Sequence, residues 1–223
     1  MKKTILLLSS IIIVATLVLN FKSENTYPTY INEFVKKNPQ AEELKTNYQV
    51  KENNQPINIS YNGDIPLLMQ WDKQWAYTKY GEEIIGTAGC GPTCLSMVAI
   101  GLTKNTKYNP QYIAKYAINH DYLEGSKTKW SLMEVGCKAF EIKATAIPLY
   151  KAILIKQLKQ NKPIICSVGP GDFTTTGHFI VITKFIDNQF YIHDPNSKEN
   201  SKRPWPYERL AKQIKALWVY SKL

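Results

Sequence analysis

The chain has 223 residues, 44% of them hydrophobic, and a formal charge of +10, which suits one globular domain with a sizeable core plus appendages. A basic balance speaks for solubility first, and only second for attraction to anionic wall polymers or lipid head groups. It does not make a nucleic-acid reader, because the lysines are scattered and no reader motif accompanies them.

Residues 1–22 carry Lys2 and Lys3 followed by an uncharged run from Thr4 to Phe21. That is the pattern of a signal peptide or an N-terminal membrane anchor, and it places the rest outside the cytoplasm. Leu17, Val18, Leu19, Asn20 and Phe21 offer no small residues at alternate positions, which favours a retained anchor with the lysines inside. No cysteine closes the run, so lipoprotein-type lipidation is not expected. Residues 23–63 read as a polar stalk or accessory arm, in which Tyr30, Ile31, Phe34 and Val35 line one face of a short helix broken near Pro39. Apolar density rises at IPLLMQW, and residues 64–223 form one domain without repeats or low-complexity tracts.

Within that domain Leu95, Val98, Ala99 and Leu102 form an i, i+3, i+4, i+7 set that predicts a core-facing helix. Further helices are expected in PQYIAKYAINH, SLMEVGCKAF and KAILIKQLKQN, the last ended by Pro163. Strand signals follow in PIICSVG, HFIVITKF, QFYIHD and ALWVYSKL, with Asp187 and Asn188 as hairpin-turn residues. Helices first and an antiparallel sheet afterwards predict an α+β architecture.

The stretch GTAGCGPTCLSM sets Cys90 between two glycines and two residues before Pro92, which suits a first helical turn. A cysteine there lies beside unpaired backbone amides, and those amides with the helix dipole favour the thiolate. Gly89 and Gly91 keep bulk away from the sulfur. Against this candidate nucleophile stands the plain reading of an ordinary glycine turn. Cys94, one turn later, reads as packed rather than reactive, and a Cys90–Cys94 disulfide would be an oxidised dead end. Cys137 and Cys166 fall in apolar segments and read as core thiols, not as halves of a disulfide framework. No metal or other cofactor is expected: there is no C-x-x-C pair, and the three histidines are widely spaced.

A cysteine nucleophile needs an imidazole. His178 opens an apolar strand beside Gly177, His193 on the next strand is a reserve, and His120 in INHDY reads as a solvated helix end. The imidazole needs an acceptor to fix its tautomer, and HDPN supplies Asp194 and Asn196. A hairpin centred on Asn188 sets Asp194 opposite Ile182, about 13 Å along the strand from His178. Either a bulge shortens that gap, or Asn196, opposite Ile180, serves instead. For a tetrahedral oxyanion the Cys90 amide is one donor, and Gln70 or its rival Gln74 the second.

These blocks, IPLLMQWDKQWAYTKYG, GTAGCGPTCLSMVAIGLT, GHFIVITKF and HDPN, resemble the papain-like cysteine peptidases of the bacteriocin-leader-processing (double-glycine peptidase-like) type, in their free-standing exported branch. The resemblance covers about residues 65 to 220. It implies a papain-like fold in which a central helix carrying the nucleophile packs on an antiparallel sheet. It also implies roles for Cys90 as nucleophile, His178 as base, Asp194 as orienting acid and Gln70 as oxyanion donor. In the transporter-linked members the Gln lies only a few residues before the Cys, whereas Gln70 lies twenty before Cys90. The expected activity is extracytoplasmic hydrolysis of peptide bonds through a thioester, with a peptide or protein as substrate. A cell-wall amidase or an acyl transferase uses the same scaffold. A non-catalytic wall-binding module is the other alternative, in which Trp71, Trp75, Trp130 and Trp205 would line a groove.

Overall fold

The computed structural model describes residues 27–48, 56–60 and 62–223; the apolar run at 1–22 lies outside the described residues. Among the described residues no helix is long and apolar enough to cross a membrane. Five strands make the main sheet: β1 (Ile142–Ala146), β2 (Ile164–Val168), β3 (His178–Ile186), β4 (Gln189–His193) and β5 (Ile214–Lys222). Their spatial order is β1-β5-β2-β3-β4, antiparallel throughout. Both faces of this sheet are covered. Ile165, Phe179, Val181, Trp218 and Tyr220 point to one core, while Ile164, Cys166, Ile180, Ile182, Leu217 and Val219 point to another. That explains why the central strand β2 is a continuous apolar run rather than an alternating one: all five of its residues are buried.

Helix α1 (Thr29–Lys37) precedes the domain, and α2 (Cys90–Thr103) is its central helix. α3 (Pro110–Asn119) packs beside α2, and α4 (Lys151–Leu158) covers the opposite face of the sheet through Leu154 and Leu158. The expected stripe on α2 understates its burial, since every residue from Gly91 to Gly101 is buried. A helix enclosed on all sides is apolar all round. Its polar groups are satisfied locally, with Thr93 Oγ1 donating to the Gly89 carbonyl at 2.7 Å and Ser96 Oγ to that of Tyr108 at 2.6 Å. It ends at Lys104, in the left-handed region at φ 65°. A central helix packed against an antiparallel sheet is the α+β, papain-like arrangement that the resemblance implies.

Three features depart from the expectation or add to it. Strand β1 has no counterpart in the sequence reading: IKATA alternates weakly, and only Ile142 in it is buried. SLMEVGCKAF splits into a helical turn, Trp130–Glu134, and a 3-10 turn, Gly136–Phe140. The arm expected at residues 23–63 packs on the domain in its described part, a placement on which the sequence reading is silent. Ile31 and Val35 on α1, with Ala41 and Leu44 beyond Pro39, bury themselves against Met69, Trp71, Ala76 and Ile84 of the domain. Ile31, Val35 and Leu44 each contribute about 1.5–3 kcal/mol when fully buried, enough to hold a short helix that would not persist alone.

Candidate active site

Gly89 breaks the helical ladder. The turn Ile85–Ala88 stops there and α2 restarts at Cys90, so the Cys90 N–H does not reach the carbonyl of Gly86. That carbonyl accepts instead from Gln70 Nε2 at 3.1 Å. Among the described residues the Cys90 N–H has no acceptor, and it stands beside the sulfur as a free donor. The two glycines have a packing reason beyond access to the thiol. A Cβ at Gly89 would collide with Ile85, and one at Gly91 with the side chain of Thr128, which Tyr80 holds through a 2.7 Å hydroxyl–hydroxyl hydrogen bond.

His178 opens β3 and is buried, and its Nε2 donates to Asp194 Oδ1 at 2.8 Å. With Nε2 so occupied, Nδ1 is the ring nitrogen left to serve Cys90, which lines the same cleft. Burial works against the imidazolium, but the Asp194 carboxylate outweighs it, with Cys90 adding to the effect, and His178 is driven up from 6.5 to about 10. Asp194 is buried and well supplied with donors. Oδ1 also accepts from the Asn196 N–H at 2.9 Å, and Oδ2 from Asn200 Nδ2 at 2.9 Å.

The hairpin explains how Asp194 comes within reach. Asp187 and Asn188 form a two-residue turn with both φ positive, 50° and 60°, pairing Ile186 with Gln189. A bulge at Thr183 then shifts the register so that Val181 faces His193. Continued by one residue, this register sets Asp194 beside Ile180, two residues from His178 rather than the four of a regular hairpin centred on Asn188. Asn196 makes no contact with the ring; its backbone caps Asp194, and its Oδ1 is buried without a partner.

The other candidates separate clearly. Gln70 is wholly buried, its amide nitrogen one turn from Cys90 through Gly86, while its Oε1 has no partner. Gln74 serves the loop at Asn58, whose N–H it accepts at 2.8 Å. His193 donates through Nδ1 to the Pro66 carbonyl at 3.2 Å, and burial pushes it down to about 4. It lines a different cavity, of about 910 Å³, that contains neither Cys90 nor His178. His120 is exposed and stacks on Tyr116 at the end of α3. All four cysteines are free, so no Cys90–Cys94 bridge is present. Burial raises the Cys94, Cys137 and Cys166 thiols, Cys137 to about 11, and marks them as inert packing groups. Trp71, Trp75 and Trp205 are buried, which removes them from any open groove; Trp130 is 48% exposed.

Cys90, His178 and Asp194 line a cleft of about 980 Å³, together with Trp130, the loop 171–177 and residues of α1. Asn200 and the α1 residues carried no chemical signal in the sequence. Asn200 sits in the polar run KENSK, and α1 announced only a helix. A thiol that shares a cleft with a buried imidazole, itself fixed by a carboxylate, is a unit able to form and release an acyl group on sulfur.

No curated protein matches the chain. Solved structures that resemble it include two peptidases. One is a protein from Bacillus anthracis described as a C39-like peptidase (TM-score 0.45, 14% identity, covering 70% of this chain and 94% of that one). The other is the peptidase domain of Streptococcus ComA, a bifunctional ABC transporter involved in a quorum-sensing pathway (TM-score 0.46, 21% identity, 61% and 93%). The model of the Peptidase_C39 like family matches residues 62–222, well over half of the chain. On that match the chain belongs to the C39-like peptidases and is a cysteine peptidase-like hydrolase.

Proposed function

We propose that the chain is an extracytoplasmic peptidase that cleaves peptide bonds through Cys90, His178 and Asp194. The observation that carries this reading is that Cys90 and His178 line one cleft, with the His178 ring held from behind by Asp194 at 2.8 Å. The Cys90 thiol passes its proton to His178 Nδ1, and the sulfur attacks the scissile carbonyl, forming the S–C bond and moving the C=O π pair onto oxygen. The oxyanion is received by the free Cys90 N–H, which Gln70 keeps available by donating from Nε2 to the Gly86 carbonyl behind it. His178 gives its Nδ1 proton to the departing amine as the C–N bond breaks, leaving a thioester. His178 then takes a proton from water, hydroxide adds to the thioester carbonyl, and the S–C bond breaks to release the carboxylate. Asp194 keeps the ring in one orientation through both halves. The extracytoplasmic setting rests on the apolar run at 1–22, and the positive charge would favour an anionic wall or membrane surface nearby.

The test compares the wild type with Cys90→Ala on a mixed peptide library and on peptidoglycan. Peptide cleavage by the wild type and none by Cys90→Ala is the expected result. Cleavage confined to wall amide bonds would make the protein an amidase. Wall binding that survives Cys90→Ala, with no bond cut by the wild type, would make it a binding module and overturn the proposal.

A further inference from the structure

The arm that holds α1 lies outside the residues matched by the family model, 62–222, yet it forms a wall of the Cys90 cleft. Tyr30 and Phe34 are half-buried against the same cluster that holds Ile31 and Val35, and they also line the cleft. Ile31 and Val35, four residues apart, are buried at 0% and 3% exposure against the domain. Tyr30, Glu33, Phe34 and Lys37, spaced i, i+3, i+4, i+7, line the cleft that contains Cys90 and His178. Beyond the helix, Gln40 Oε1 accepts from the Lys198 N–H at 3.1 Å. That ties the arm to the segment from which Asn196 and Asn200 support Asp194. Trp130, from a separate segment, enters the same cleft and is braced edge-on against Trp218 at 5.5 Å.

We infer that α1 is a substrate-binding element: Tyr30 and Phe34, with Trp130, receive a large apolar side chain of the peptide, and exposed Glu33 reads charge beside it. The inference rests on the peptidase reading above. Three aromatic rings from two segments, partly open to the cleft and fixed by their neighbours, make a surface for apolar groups with little entropy left to lose.

The experiment uses the full chain as wild type, Phe34→Ala and Glu33→Lys, each assayed on a position-scanned peptide library. Alkylation of Cys90 by iodoacetamide is followed in parallel as a control too small to need the wall. Phe34→Ala is expected to lower kcat/KM about 10-fold for peptides with Phe, Leu or Trp at one position, chiefly through KM, and to spare peptides with Ala there. Glu33→Lys changes an exposed residue and leaves the core intact. It is expected to shift the preference at a neighbouring position from basic towards acidic by about 5-fold. Alkylation of Cys90 stays at the wild-type rate in both. Equal loss for every peptide, no change in selectivity, or a general rise in activity would overturn the inference while leaving the peptidase reading in place. A wild type that cuts no peptide in the library overturns the peptidase reading itself.

Discussion

His178→Ala is expected to lower kcat by roughly 10⁴-fold or more, with little change in KM because the ring lies at the base of the cleft rather than along its aromatic wall. The size follows from how many tasks one imidazole performs. In the proposed mechanism it takes the proton of the Cys90 thiol, gives it to the leaving amine and accepts one from the attacking water. Among the described residues no second group can take over: His193 opens to another cavity and His120 is on the surface. Removing the ring also leaves the Asp194 carboxylate buried without its positive partner, a defect of about 3–5 kcal/mol. Steady-state kinetics with a denaturant titration of the same variant separates the two effects. Loss of stability alone would leave the folded fraction active.

Asp194→Asn is expected to cost roughly 10²–10⁴-fold in kcat and to change how stability responds to pH. In the wild type His178 is raised from 6.5 to about 10 despite its burial. A folded-state value above the unfolded one means the stabilisation is fully present below about pH 6.5 and is lost as pH rises toward about 10. Asn in place of Asp keeps an acceptor for Nε2 but removes the charge that holds the proton, so burial then favours the neutral ring. Its amide would also bring an N–H toward Asn200 Nδ2, which now donates to Oδ2 at 2.9 Å. Urea melts across that interval should show the wild type losing stability with rising pH and Asp194→Asn nearly flat. Parallel slopes in the two proteins would contradict the assignment of the pair.

The parts of this site that were legible in the sequence are those carried by local chemistry. GCGP marks a helix start, and a histidine at the head of an apolar run marks a strand end; both are short-range patterns. What escaped was register and packing. The gap from Asp194 to His178 depends on a two-residue turn and a bulge at Thr183, and nothing in HFIVITKF distinguishes a bulged threonine from a paired one. Gln70 was named as a possible oxyanion donor, but its contact with the Gly86 carbonyl, which releases the Cys90 N–H, joins segments sixteen residues apart. The arm was readable as a helix from Tyr30, Ile31, Phe34 and Val35, yet which surface it would cover was not, because a periodic stripe names no partner. Strand β1 was missed because an edge strand with one buried residue leaves almost no alternation to detect.

The central claim is that the Cys90 sulfur owes its reactivity to the ring of His178. The measurement that meets it most directly is the alkylation rate of Cys90, mapped by mass spectrometry at mildly acidic pH, in the wild type and in His178→Ala. The account predicts modification of Cys90 far ahead of Cys94, Cys137 and Cys166 in the wild type, falling at least about 10-fold when the imidazole is removed. A Cys90 that reacts at the same rate with and without His178 would contradict it.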